Sequence, residues 1–116
     1  MADGEHVEWL KEGVEKWNAF RETNEIWPDL RHADLKSMNL RGINLENADL
    51  RETNLRSTNL PDANLKNANL HGAHLWSADI RNVDFTNANL NGAYLVAAVA
   101  DNAVFKNASL IGAILE

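Results

Sequence analysis

The sequence places an apolar residue at every fifth position from Leu30 onward. In each five-residue unit the central residue is usually Leu and a small or apolar residue (most often Ala) stands two positions before it, and through most of the chain Asp or Asn lies between them. Steps of five would scatter the leucines around a helix and would alternate their faces along a continuous strand. The repeat therefore predicts very short extended segments, each followed by a turn, and turn-forming residues account for the 16 Asn among 116 residues.

A second period, of twenty residues, sets the size of one coil. Asn47, Asn67, Asn87 and Asn107 occupy the same place in the unit at intervals of twenty. Twenty residues are four units, so four short sides are predicted to close one coil. Eighteen units then give about four and a half coils, roughly 20 Å tall if the coils stack at an inter-strand spacing of about 4.8 Å.

The unit, as in Ala48-Asp49-Leu50-Arg51-Glu52 and Ala63-Asn64-Leu65-Lys66-Asn67, resembles that of the pentapeptide-repeat proteins. The resemblance covers residues 28–116 and implies an all-β fold, a right-handed quadrilateral β-helix with the central residue and the preceding Ala pointing inward. The passage from Gly13 to Arg21 is similar to the helical lead-in of many bacterial members.

Two regions follow from this division: residues 1–25 as a capping helix with its linker, and residues 26–116 as the solenoid. Every central position of the solenoid is predicted to be buried. The residues expected to form the middle of the core are Leu50, Leu55, Leu60, Leu65, Leu70, Leu75, Ile80 and Phe85.

The N-terminal region has the pattern of one amphipathic helix. Val7, Leu10, Val14 and Trp17 follow helical spacing, Asp3 is a candidate N-cap and Asn24 a candidate stop. We expect this helix to cover the first coil, with Trp17, Phe20, Ile26 and Trp27 closing the open end. The alternative is that the same face serves as a partner-binding or membrane-surface helix. The membrane is disfavoured because residues 1–25 carry seven acidic and three basic side chains.

Composition excludes several classes of chemistry. The absence of Cys rules out disulfides, thiol catalysis and Cys-ligated metals, and the net charge of -6 argues against direct nucleic-acid binding. No apolar run approaches the length of a membrane span and no secretory signal is evident, so a soluble cytoplasmic protein is expected. His71 and His74 form the one close His pair, and a solvated surface pair is favoured over a metal site. No nucleophile has a base placed to activate it. We therefore predict no enzyme, no cofactor and no metal.

Two functions remain. The first is a structural scaffold that presents flat walls to a protein partner. The second, implied by the resemblance, is mimicry of DNA: some members of the family are acidic rods that occupy the DNA site of a type II topoisomerase such as gyrase. Mimicry needs an acidic wall, whereas residues 26–116 carry eight basic and ten acidic side chains. The scaffold is favoured.

The C-terminal coils differ from the rest in their outward positions. These positions are polar as far as Asn89 and then become largely apolar, and the sequence offers no second cap before Glu116. An uncovered edge with an apolar rim favours self-association, so we predict a homodimer joined through these coils. A monomer with an apolar last coil, or a chain with a longer natural tail, is the alternative. The residues expected at the contact are Tyr94, Val96, Val99, Val104, Ile111 and Ile114.

Overall fold

The computed structural model describes residues 3–116, which form two short helices followed by a solenoid. Helix α1 spans Gly4–Lys11, and its N-cap is Asp3, whose side chain accepts a hydrogen bond of 2.9 Å from the backbone N–H of Glu5. Helix α2 spans Val14–Thr23 and ends at Asn24. Within residues 3–116, neither helix is long and apolar enough to cross a membrane.

The prediction of a single N-terminal helix is wrong. The backbone of Gly13 has a φ of 117°, which no helical residue can adopt, so the chain breaks between α1 and α2. The apolar residues still share one side because the two helices pack against each other: Leu10 from α1 and Trp17 from α2 are both fully buried.

Parallel β-bridges connect the coils of the solenoid, and each of them joins residues that lie twenty positions apart. The bridges are isolated, since a turn follows every bridged residue and its successor. They form four series, which we call walls one to four after the order of their first bridges: Asp29 to Asp49, Asp34 to Asn54, Asn39 to Asn59 and Asn44 to Asn64. The spacing is the period predicted from the sequence.

Each corner requires an unusual backbone conformation. Every residue two positions after a central residue, from His32 to Gly112, has a positive φ between 56° and 72°. The residue after it donates its N–H back to the central carbonyl, as Ala33 does to Leu30 at 3.1 Å, which is the pattern of a type II turn. Asn and Gly tolerate this conformation best, which explains why they recur there.

Where Asp or Asn precedes the central residue, its side chain has a further role at the corner, except at Asn59, since Pro61 has no N–H. The side-chain oxygen of the Asp or Asn accepts the backbone N–H of the residue two positions later, as Asp49 does from Arg51 at 3.2 Å and Asn69 does from His71 at 3.1 Å. A short polar side chain thus satisfies a donor that the bridges leave unpaired. This requirement explains the preference for Asp and Asn over other polar residues.

Central residues fill the interior. The eight middle core residues named from the sequence are at most 1% exposed. Phe85 stacks on Phe105 of the next coil with ring centroids 5.1 Å apart. Thr53 stands in the place of the usual Ala and is fully buried, and its hydroxyl donates to the carbonyl of Leu30 at 2.7 Å.

The two helices cover part of the first coil through side chains that pair with its backbone. The N–H of Asp29 donates to Nδ1 of His6, and the N–H of Asn44 donates to the side chain of Asn18. The carbonyl of Asn44 accepts from both the indole of Trp17 and the guanidinium of Arg21, at 2.7 and 3.0 Å. These bonds occupy edge positions of walls one and four where a preceding coil would otherwise pair.

Trp27 does not contribute to this cover, contrary to expectation: it is 78% exposed. Phe20 packs on Trp9 with ring centroids 4.4 Å apart and is half-buried, as is Ile26. Helices α1 and α2 themselves cover the first coil, and the linker that carries Trp27 lies outside this cover.

Candidate functional site

The interior of the solenoid is open at its C-terminal end. An apolar cavity of about 300 Å³ lies there. The expectation that every central residue is buried is wrong in these last units: Leu110 is 39% and Leu115 is 64% exposed, and Ala100 is exposed as well. The physical reason is that no following coil covers them within residues 3–116. The cavity is lined by Ile80, Leu95, Ala98, Ala100, Phe105, Leu110 and Leu115.

The same end has an unpaired backbone edge. In earlier coils, the N–H of each central residue donates to a carbonyl nineteen positions later, as Leu95 does to Ile114 at 2.7 Å. Among residues 3–116, the corresponding N–H groups of Ala100, Phe105, Leu110 and Leu115 have no backbone acceptor. An edge of this kind can pair with another chain.

The residues predicted for self-association are spread around this end. Val99, Val104 and Ile114 are 47%, 44% and 43% exposed on walls three, four and two, and Ile111 is 78% exposed on wall one. Tyr94 and Val96 lie one coil further in on wall two and are half-buried. The structure therefore brings four of the six to the rim of the opening and places the other two on a lateral surface.

That lateral surface holds an aromatic cluster. The rings of His74, Trp76 and Tyr94 contact one another, with centroids 5.0 to 5.9 Å apart. The guanidinium of Arg56 lies 3.9 Å from the centroid of the Trp76 ring, in cation–π geometry. The indole N–H of Trp76 is buried and has no acceptor among residues 3–116.

Charges on the other walls are largely neutralised in pairs. On wall one, Arg31 and Arg51 each bind the Asp two positions earlier through two hydrogen bonds, and on wall three Arg81 binds Asp79 in the same way, at 2.8 and 2.6 Å. The hydrogen bond from each Arg holds the pKa of its Asp below the ordinary value. These carboxylates consequently stay ionised but present little net negative charge.

Among residues 3–116, the histidines do not form a metal centre. His71 lies on wall one and His74 on wall two, and in the part of the chain that the structure describes no three His, Asp or Glu side chains could hold a metal ion. His74 packs against aromatic rings instead.

Sequence reasoning missed both Trp76 and the exposure of the central residues Ala100, Leu110 and Leu115. A signal for the cluster existed: Arg56, Trp76 and Val96 are spaced by twenty and therefore neighbour one another on one wall. Exposure of the last central residues had no signal in the repeat itself, since their residue types match those of buried units.

Comparison with known proteins supports the assignment of the repeat fold. A sequence profile of pentapeptide repeats matches the chain in 8 copies, over residues 29–67, 48–87 and 78–116. No curated protein sequence matches the chain significantly.

Several solved structures are similar. The pentapeptide repeat protein Rfr23 from the cyanobacterium Cyanothece 51142 is 34% identical with a TM-score of 0.74, and the match covers 80% of this chain and 68% of that one. A pentapeptide repeat protein from the thylakoid lumen of Arabidopsis thaliana is 31% identical with a TM-score of 0.71, covering 73% of this chain and 59% of that one. A pentapeptide repeat protein from Nostoc PCC 7120 is 31% identical with a TM-score of 0.51, covering 78% and 83%.

Proposed function

Because the chain belongs to the pentapeptide-repeat family, we propose that it is a non-enzymatic scaffold that associates with a second copy through its C-terminal coils and presents its walls to a protein partner. We propose further that the four walls enclose a right-handed, quadrilateral β-helix of about four and a half coils. The repeat leaves the interior filled by Leu and Ala, so function is expected at surfaces and ends.

The observation that carries the self-association is the difference between the two ends. Side chains from α1 and α2 pair with the first coil's edge at Asp29 and Asn44, whereas within residues 3–116 the last coil combines an unpaired edge with an open apolar interior. A second copy would supply hydrogen-bond partners for the backbone edge and would cover Leu110 and Leu115 at the open interior. A two-fold contact between identical ends also closes the assembly and prevents filaments.

Sedimentation tests this proposal. The wild-type protein should sediment as a dimer at micromolar concentration, and the double variant Val99→Asp with Ile114→Lys should sediment as a monomer, because charges would be buried at the rim. The matched control is Asn59→Asp with Asn54→Lys, which places the same charges on the same two walls in earlier coils. A wild-type protein that stays monomeric, or a control that dissociates as readily, would overturn the proposal.

Mimicry of DNA is the less supported alternative. The acidic columns that it requires are interrupted by the Arg31, Arg51 and Arg81 pairs described above, which leave walls one and three close to neutral. A gyrase supercoiling assay separates the two functions. The scaffold predicts no inhibition at micromolar concentration, and inhibition would favour mimicry.

A further inference from the structure

Wall two differs from the other three walls in what it exposes. Two series of side chains face outward on this wall. The bridged positions are Asp34, Asn54, His74, Tyr94 and Ile114, and the positions two residues later change from cationic to aromatic to aliphatic: Lys36, Arg56, Trp76 and Val96. We call the cationic, aromatic and aliphatic members of the two series the wall-two strip: Lys36, Arg56, His74, Trp76, Tyr94, Val96 and Ile114. The members are half-buried or exposed, so the strip is accessible from one side. Trp, Tyr and Arg are the residues enriched at the energetic centres of protein interfaces.

The guanidinium of Arg56 distinguishes this strip from the paired charges elsewhere. Arg31, Arg41, Arg51 and Arg81 each bind a carboxylate, and Arg21 binds two backbone carbonyls. In the described part of the chain, the Arg56 side chain has the Trp76 ring as its contact and no carboxylate or carbonyl acceptor. Its N–H donors are therefore available above an aromatic platform.

Lys36 adds a second cation in the preceding coil of the same wall, and within residues 3–116 it too forms no ion pair. Because residues twenty apart are neighbours on one wall, Lys36, Arg56 and Trp76 follow one another at about the inter-strand spacing of 4.8 Å. Arg56 thus adjoins the aromatic surface directly and Lys36 lies one coil beyond it, so a ligand that lies along the wall meets both cations.

We propose that the wall-two strip binds an acidic segment of a partner protein, with a carboxylate held by Arg56 and a neighbouring apolar side chain packed on Trp76 and Tyr94. The inference rests on the scaffold function proposed above and names the wall and the chemistry of its partner. Arg is suited to this task because its planar fork can hold a carboxylate through two hydrogen bonds while its face stacks on an aromatic ring.

An aromatic surface with cations is also a feature of proteins that bind single-stranded nucleic acid. Charge favours the acidic protein segment, because the whole chain carries a net charge of -6 and the strip contains only two fixed cations. A phosphate backbone would be repelled by the molecule as a whole, whereas a single carboxylate needs only the local donor.

The test uses a phage-displayed library of random twelve-residue peptides selected on the immobilised full chain. Selected sequences should carry Asp or Glu within two positions of Leu, Phe or Trp. A synthetic peptide of the enriched sequence should bind at least tenfold more weakly to Arg56→Glu and to Trp76→Ala. The control Arg41→Glu makes the same charge change on wall three and should alter affinity less than twofold.

Charge reversal gives the sharper comparison. A peptide whose acidic residue is replaced by Lys should lose affinity for the wild-type protein and regain it with Arg56→Glu, an outcome that misfolding of a variant cannot produce. Far-ultraviolet circular dichroism of each variant verifies the fold, and Arg56→Gln keeps the side-chain length while it removes the charge.

Several results would overturn the inference: a selection without acidic sequences, equal binding by all variants, or tighter binding of a twelve-residue oligothymidylate that depends on Arg56. Peptides whose binding depends on Arg41 and not on Arg56 would also overturn it, while they would leave the scaffold function standing. Sedimentation measures the dimer independently of peptide binding. Failure of the dimer proposal can therefore be distinguished from failure of this inference.

Discussion

Leu70 and Leu115 occupy the same position of the repeat, yet one is fully buried and the other is 64% exposed. Replacing each by Ala removes the same atoms from two different environments. For Leu70→Ala the loss combines transfer of the side chain with the cavity left behind, and should be about 2–5 kcal/mol of unfolding free energy. Full burial of a Leu side chain contributes roughly 1.5–3 kcal/mol, and only about a third of the Leu115 side chain is buried. Leu115→Ala should therefore cost about 0.5–1 kcal/mol of unfolding free energy in the monomer.

Urea denaturation followed by circular dichroism measures both losses, at a concentration low enough for the monomer to predominate. The two variants should share the wild-type dependence of free energy on urea, because similar surface is exposed on unfolding. At higher concentration the Leu115 variant should lose more stability if a second copy covers that side chain. Equal losses at both positions in the monomer would refute the inward register and the open end together.

Three further predictions concern the cap, the ion pairs and the corners. Arg21→Gln should cost about 1.5–3 kcal/mol in urea denaturation, because it removes charged hydrogen bonds to two carbonyls of the first coil, whereas Lys16→Gln on the same helix should be nearly neutral. The pKa of Asp79 is lowered in the folded state. Its contribution to stability should therefore be present above its unfolded pKa of about 3.9 and should be lost as pH falls through the lower folded value. In acid denaturation curves, the difference in stability between wild type and Asp79→Asn should vanish at low pH. Asn67→Val should cost about 1–3 kcal/mol because a branched side chain resists the φ of 60° at that corner, while Asn67→Gly should be tolerated, as thermal melting can show.

The periodic part of the fold was predictable because its constraints act residue by residue. A corner needs a positive φ, and residues such as Asn67 and Gly72 reveal where that conformation falls. An outward Asp or Asn is needed to satisfy a backbone donor, and an apolar residue is needed inside. Since every unit repeats the same requirements, eighteen weak signals combine into one strong pattern.

What was not predictable depends on contacts between distant segments. Spacing from Val7 to Trp17 fits one helix as well as two, and Gly13 alone does not show that it adopts a φ outside the helical region. The pairing of His6 and Arg21 with edge groups of the first coil requires knowing how the helices are placed over it. The wall-two cluster was partly predictable, because the period of twenty already makes Arg56 and Trp76 neighbours.

The hydrogen bonds of the solenoid have a consequence for how it folds. Each backbone contact between coils spans about twenty residues of sequence, and the contacts of Trp17 and Asn18 with the first coil span 24 to 27. Loop closure for each added coil is therefore the same, however many coils precede it. The capped end is also synthesised first, so it can serve as a nucleus onto which later coils add one after another. Adding coils would lengthen this rod without raising the entropic barrier of any single step.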